Sequence, residues 1–174
     1  MRLEPVTRHP EGDPEGLPAS GAPRPPDTSR PRPPARRVLR ADVSAEPLDI
    51  PGHQALVADA AAGAVVTFTG VVRDNDRGRE VTGIEYVSHP TALRVLAEVA
   101  AEVAERTQAE ALAVTHRIGV LAVGEPAIVA TACGVHRAEA FEAAELLVEE
   151  VKHRLPVWKR QMFADGTEEW VACP

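Results

Sequence analysis

Lys152 and Lys159 are the only lysines in the 174-residue chain, which carries seventeen arginines, and both fall in the stretch Lys152-His153-Arg154-Leu155-Pro156-Val157-Trp158-Lys159. An amine can release its proton at accessible pH, whereas a guanidinium cannot, so this stretch suits general acid–base chemistry. Two solvated surface lysines would give the same pattern. The dipeptide His-Arg occurs three times, at His116-Arg117, His136-Arg137 and His153-Arg154. The middle pair stands where a strand gives way to a helix, so free amides, the helix dipole and a guanidinium can converge on one anion. A helix start with a solvent-facing arginine is the plainer alternative. Arg73 follows an apolar strand, a position from which side chains often reach a cleft. The next residues, Asp74 to Arg79, read as a solvated turn.

Other chemistries find less support. The six histidines make no i, i+4 helical pair, Cys133 and Cys173 lack Cys-x-x-Cys spacing, and no metal site is expected. No Gly-x-Gly-x-x-Gly or Gly-Lys-Ser/Thr element is present to cradle a phosphate. After residue 40 the only serines are Ser44 and Ser88, neither in a nucleophile elbow.

The elements that must position these residues follow from periodicity. Asp49-Ile50-Pro51 caps a short helix over His53–Ala62, and Gly63 stops it. Residues 64–72 form a β-branched strand with Val81–Ser88 as its antiparallel partner. Pro90 opens an amphipathic helix with Leu93, Leu96, Ala97, Ala100, Val103 and Ala104 toward the core. Strands follow at Ala111–Ile118 and Pro126–Val135, joined through Gly119 and Gly124. A second long helix, 137–154, turns Phe141, Ala144, Leu147, Val148, Val151 and Leu155 inward. Pro156 ends it by removing a donor and disfavouring helical geometry at Leu155, which leaves Lys152 in the last turn. Val157–Phe163 and Glu168–Ala172 then pair around Asp165-Gly166. This order predicts an α+β domain with a mainly antiparallel or mixed sheet and helices packed on it.

Composition sets the limits. Residues 1–40 hold ten of the sixteen prolines, eight arginines and few large apolar side chains, so they read as a disordered Pro/Arg-rich extension before a domain at 41–174. Beyond the extension, eleven basic and twenty-one acidic residues leave the domain at −10. That acidity, with only six aromatic residues, argues against nucleic acid as a partner. No apolar run reaches the ~18–20 residues a membrane span needs, and the amino terminus lacks the apolar core of a signal peptide. A cytoplasmic location is expected.

Four ordered motifs resemble the large, catalytic subunit of molybdopterin synthase: residues 63–73 (GAVVTFTGVVR), His116-Arg117-Ile118-Gly119, residues 136–143 (HRAEAFEA), and Lys152 with Pro156-Val157-Trp158-Lys159-Arg160. The resemblance covers about Gly63 to Val171 and leaves out the first forty residues. It implies a hammerhead-like α/β core that forms a homodimer and binds two copies of a small ubiquitin-like sulfur carrier, giving a heterotetramer. The carrier's C-terminal Gly-Gly thiocarboxylate would deliver sulfur to cyclic pyranopterin monophosphate, forming the dithiolene of molybdopterin without a resident cofactor. By the same resemblance Lys152 and Lys159 are catalytic, and Val71, Val72, Arg73, His136, Arg137, Lys152, Lys159, Arg160 and Gln161 bind substrate, with the other protomer completing the pocket. The chain departs from the family at Val71, where lysine or arginine is frequent, at Gln161, where an acid is common, and at Gly134-Val135 before His136. A non-catalytic dimeric module that holds a small phosphorylated ligand or an acidic protein tail is the competing reading.

Overall fold

The structure, a computed structural model, describes residues 37–172. The elements run β1 (Arg37–Ser44), α1 (Ile50–Val57), β2 (Ala64–Val71), β3 (Asn75–Asp76), β4 (Arg79–Ser88), α2 (Ala92–Arg106), β5 (Ala111–Arg117), β6 (Gly119–Ala122), β7 (Pro126–Gly134), α3 (Arg137–Arg154), β8 (Val157–Phe163) and β9 (Glu168–Ala172). The architecture is α+β, as expected. One sheet has the order β1-β5-β7-β2 and the other β3-β4-β8-β9, with β6 added alongside β4. Every pairing is antiparallel except β1 on β5, so the first sheet is mixed.

Four details differ from the sequence reading. Strands β2 and β4, expected as antiparallel partners, lie in different sheets, β2 pairing with β7 and β4 with β8, because adjacency along the chain does not fix which buried edges meet. The boundary expected at residue 40 falls inside β1, whose residues 37–40 pair with β5 from Ala111 onward. Its short Arg/Val pattern carries no strand signal of its own and gains order by adding to an existing edge. The expected extension up to residue 36 lies outside the described residues. Residues 119–122, read as a connection, form β6, made possible by positive φ at Gly119 (89°) and Gly124 (86°) on either side. The first helix is capped at Asp49 as expected, the Asp49 side chain accepting from the Gly52 amide at 2.9 Å, and it ends at Val57, sooner than the expected Ala62.

The main core lies between the first sheet and the helices α2 and α3. From α2 it takes Ala92, Leu96, Val99, Ala100, Val103 and Ala104, and from α3 Ala143, Ala144, Leu147, Val148 and Val151. Strands β5 and β7 are wholly or almost wholly buried, since helices cover one face of their sheet and α1 covers part of the other. Three residues expected inside are outside: Leu93 is 52% exposed, Phe141 is 62% exposed, and Ala97 is exposed as well. Each sits one position off the stripe that i, i+3, i+4 spacing sends to the sheet.

His53 is 1% exposed and fully engaged. Its Nδ1–H donates to the Asp49 carbonyl at 2.7 Å, and Nε2 accepts from the Thr115 hydroxyl at 2.8 Å. This histidine ties α1 to β5 and is structural.

Leu147 is 0% exposed at the centre of the α3–sheet contact. Leu147→Ala is expected to cost about 2–5 kcal/mol, read as a lower urea midpoint with an unchanged denaturant slope.

Candidate active-site cleft

The cleft opens where the carboxyl end of α3, the start of β8 and the end of β2 meet. Leu155, the C-cap, donates its amide to the Val151 carbonyl at 2.9 Å and is 2% exposed, which anchors the helix end in the core. Pro156 then turns the chain into β8, its carbonyl accepting from the His89 amide at 3.0 Å. Lys152 stands on the last turn of α3, and Lys159 three positions into β8. In β8, Lys159 and Gln161 are two residues apart and face the same way, opposite Tyr86 and Ile84 of β4.

The resulting space has a volume of about 770 Å³. Lys152 and Lys159 both line it, with Arg73 and Val71 from the end of β2 and Gln161 from β8. Tyr86, Ile84, Phe68 and Ile128 supply apolar wall, and Glu149, Asp76 and Asn75 bring polar groups to the margin. Lys152 is exposed and Lys159 half-buried, and neither makes an ion pair among the described residues. Arg73 is 77% exposed and lies 3.9 Å from Asp76. The rim is therefore cationic, with amines unclaimed by carboxylates, and suited to an anionic group.

Four residues expected at the site stand elsewhere within the protomer. Val72 is 3% exposed in the small core with Val81, Leu121 and Phe163, because alternation along β2 sends it away from Val71. Arg160 points to the opposite face of β8 from Lys159. There it bonds Glu85 at 2.5 Å and Glu168 at 3.0 Å, and lies over the Trp170 ring at 5.7 Å. His136 and Arg137 begin α3, sixteen residues before Lys152, or about 24 Å along the axis. The His136 amide donates to Glu139 at 3.0 Å, and Arg137 is exposed and without a partner among the described residues.

Periodicity alone did not bring His116 and Tyr86 to the site. His116 comes from β5 of the first sheet and meets Tyr86 of the second edge-on, the ring centroids 5.0 Å apart at 87°. Among the three His-Arg pairs, His116 and His153 line the cleft. Arg117 turns away and pairs with Glu125 at 2.9 Å, while Glu125 also accepts from the Ala122 amide at 2.7 Å. This clamp pins the turn between β6 and β7 beside the cleft floor. Burial pushes the His116 imidazole from its ordinary 6.5 down to about 4, the neighbouring Arg117 backbone opposing the shift only in part. His116 is thus neutral at physiological pH.

Comparison with known proteins bears on the whole arrangement. The family model described as MoaE protein matches residues 43–154. The molybdopterin synthase catalytic subunit of Bacillus subtilis (strain 168) is 40% identical over 111 residues, covering 63% of this chain and 70% of the relative. The share of a relative's own length that is covered differs, from 56% for the molybdopterin synthase catalytic subunit of Aspergillus clavatus to 86% for molybdopterin synthase catalytic subunit 1 of Mycobacterium tuberculosis. The crystal structure of molybdopterin synthase from Staphylococcus aureus superimposes with a TM-score of 0.69 at 29% identity, over 74% of this chain and 94% of that one. A complex of subunits 1 and 2 of molybdopterin-converting factor from Helicobacter pylori 26695 matches in fold, with a TM-score of 0.57 at 18% identity, over 78% of this chain and 88% of that one.

The low His116 pKa has a consequence for stability. Between pH 6.5 and about 4 the unfolded chain binds a proton that the folded chain refuses, so folding weakens as pH falls through that window. Urea midpoints measured across it are expected to drop in the wild type and to drop less in His116→Gln, with the imidazole NMR titration centred near 4.

Proposed function

The chain belongs to the MoaE family, and from that premise we propose that it is the catalytic subunit of a molybdopterin synthase. In this reading it is a sulfurtransferase: a small ubiquitin-like carrier presents its C-terminal Gly-Gly thiocarboxylate, and the sulfur passes twice to cyclic pyranopterin monophosphate, forming the dithiolene. The observation that carries the reading is the meeting of the chain's only two lysines in one cleft. Both reactants are anions, and the unpaired amines of Lys152 and Lys159 with the Arg73 guanidinium offer them charge and hydrogen bonds.

Lys152, on the exposed helix end, works beside the thiocarboxylate as general acid–base and charge stabiliser. Lys159, deeper and half-buried, holds the pterin substrate and assists proton movement. Arg160, held by Glu85 and Glu168, supports β8 and leaves direct contact to Lys159.

His136 and Arg137 serve as anion binders from a second protomer. A single helix holds them about 24 Å from Lys152, so they reach such a cleft only on another copy. Strand β2 offers a place for that copy. It is an edge strand, and Val65, Phe68 and Val71 on it are 39–50% exposed, near Phe141 of α3 at 62%. That apolar surface suits burial in a homodimer. Among the described residues no helix is long and apolar enough to cross a membrane.

Reconstitution with thiocarboxylated carrier and cyclic pyranopterin monophosphate is expected to yield dithiolene product. A non-catalytic binding module would leave both reactants unchanged. Lys152→Arg keeps the charge and loses the dissociable proton, and its turnover is expected to fall by about 10²-fold or more. Wild-type turnover in that variant would exclude the acid–base role. Co-expressing Lys152→Ala with Arg137→Ala is expected to restore about a quarter of wild-type activity, since half the dimers are mixed and each mixed dimer keeps one intact cleft. Activity no higher than in the single variants would exclude the shared site.

A further inference from the structure

Two buried polar atoms on the cleft wall have no partner. Gln161 is 2% exposed and its Nε2 makes no hydrogen bond; His116 is 8% exposed and its Nδ1 makes none. Both residues line the same space, one from β8 and the other from β5, with the Tyr86 ring against His116. A buried amide or imidazole nitrogen left unsatisfied costs on the order of 1–3 kcal/mol, so a fold retains such atoms at low cost only where something else completes them. His53 shows the contrast in this same chain, since its two nitrogens are both satisfied from within.

The character of the pair limits what can complete it. The cations of the cleft, Lys152, Lys159 and Arg73, answer an anion, whereas Gln161 and His116 present an uncharged amide and an uncharged ring nitrogen. An amide offers donor and acceptor together, and a neutral imidazole offers one of each. Beside them Tyr86, Ile84, Ile128 and Val157 form flat apolar wall. Neutral hydrogen-bonding groups set in an apolar wall fit the edge of a planar heterocycle, and a cationic rim fits its charged substituent.

We propose that Gln161 and His116 form a neutral recognition pair, specificity-determining for the amide-like edge of a heterocyclic substrate, while the lysines hold its anionic end. With the function proposed above, that edge belongs to the pterin ring, and the inference rests on that reading for the identity of the ligand. An amide at this position binds the ring without adding a negative charge next to Lys159.

The test separates ring from charge by using two probes on the whole protein: 6-hydroxymethylpterin, which has the ring and no phosphate, and inorganic phosphate. Gln161→Leu and His116→Phe are each expected to weaken pterin binding, followed by its fluorescence, by about tenfold or more and to leave phosphate binding within about twofold. His116→Gln, which keeps hydrogen-bonding capacity, is expected to stay within about threefold of the wild type; if His116→Phe fails to fold, Gln161→Leu and His116→Gln decide the matter. Wild-type pterin affinity in folded variants, equal loss of both probes, or no pterin binding by the wild type would overturn the pair and assign its atoms to water alone. Product formation by a wild-type protein whose pterin affinity ignores these variants would sink the pair and leave the sulfurtransferase reading standing. Pterin binding through the pair with no product on reconstitution would do the reverse.

Discussion

The cleft depends on one reversal of the chain, at Leu155-Pro156. Leu155 is drawn into the core and Pro156 has no amide to continue the helix, so α3 must stop while its last turn is still exposed. The Pro156 carbonyl is taken by His89 just before α2, which fixes the exit direction toward β4. From that corner β8 runs antiparallel to β4, and its register sets Lys159 across from Tyr86 and Gln161 across from Ile84. A shift of one residue would turn Lys159 and Gln161 to the far face and bring Arg160 in. Arg160 is held against such a shift by Glu85 and Glu168, so an ion-paired outer face keeps the inner face in register.

Around this corner the two sheets divide the labour. The first sheet, buried under α2 and α3, is the rigid part and contributes His116 and the end of β2. The second sheet is thinner, with a small core of Val72, Val81, Ile84, Leu121 and Phe163, and contributes the lysine and the glutamine. The cleft is the gap between them. Its floor is neutral and partly apolar, and its margin is cationic. This gradient suits a ligand that has a ring at one end and charge at the other.

Much of this was legible in the sequence because short-range rules decide it. Pro156 and the 3.6-residue stripe from Ala144 to Leu155 locate the end of α3, Asp165-Gly166 marks the last hairpin, and the two lysines among seventeen arginines both come to line the cleft. Strand β1 was not legible, since its order comes from parallel pairing with β5, 73 to 74 residues further along the chain. Phe141 and Leu93 were misplaced because an apolar residue at the margin of a stripe turns inward or outward according to what packs beside it.

The sequence by itself determined which groups are available: the two amines, the helix stop that brings one of them to a free end, the alternation that pairs Lys159 with Gln161, and the motif order shared with the MoaE family. Only the tertiary structure decided which groups meet. It joined His116 to Tyr86 across two sheets, sent Arg160 and Val72 away from the residues beside them, and set His136 and Arg137 at the far end of a rigid helix. The reason is physical: helical and strand periods act over a few residues, whereas the facing of one sheet against another is settled by how buried surfaces from distant parts of the chain fit together.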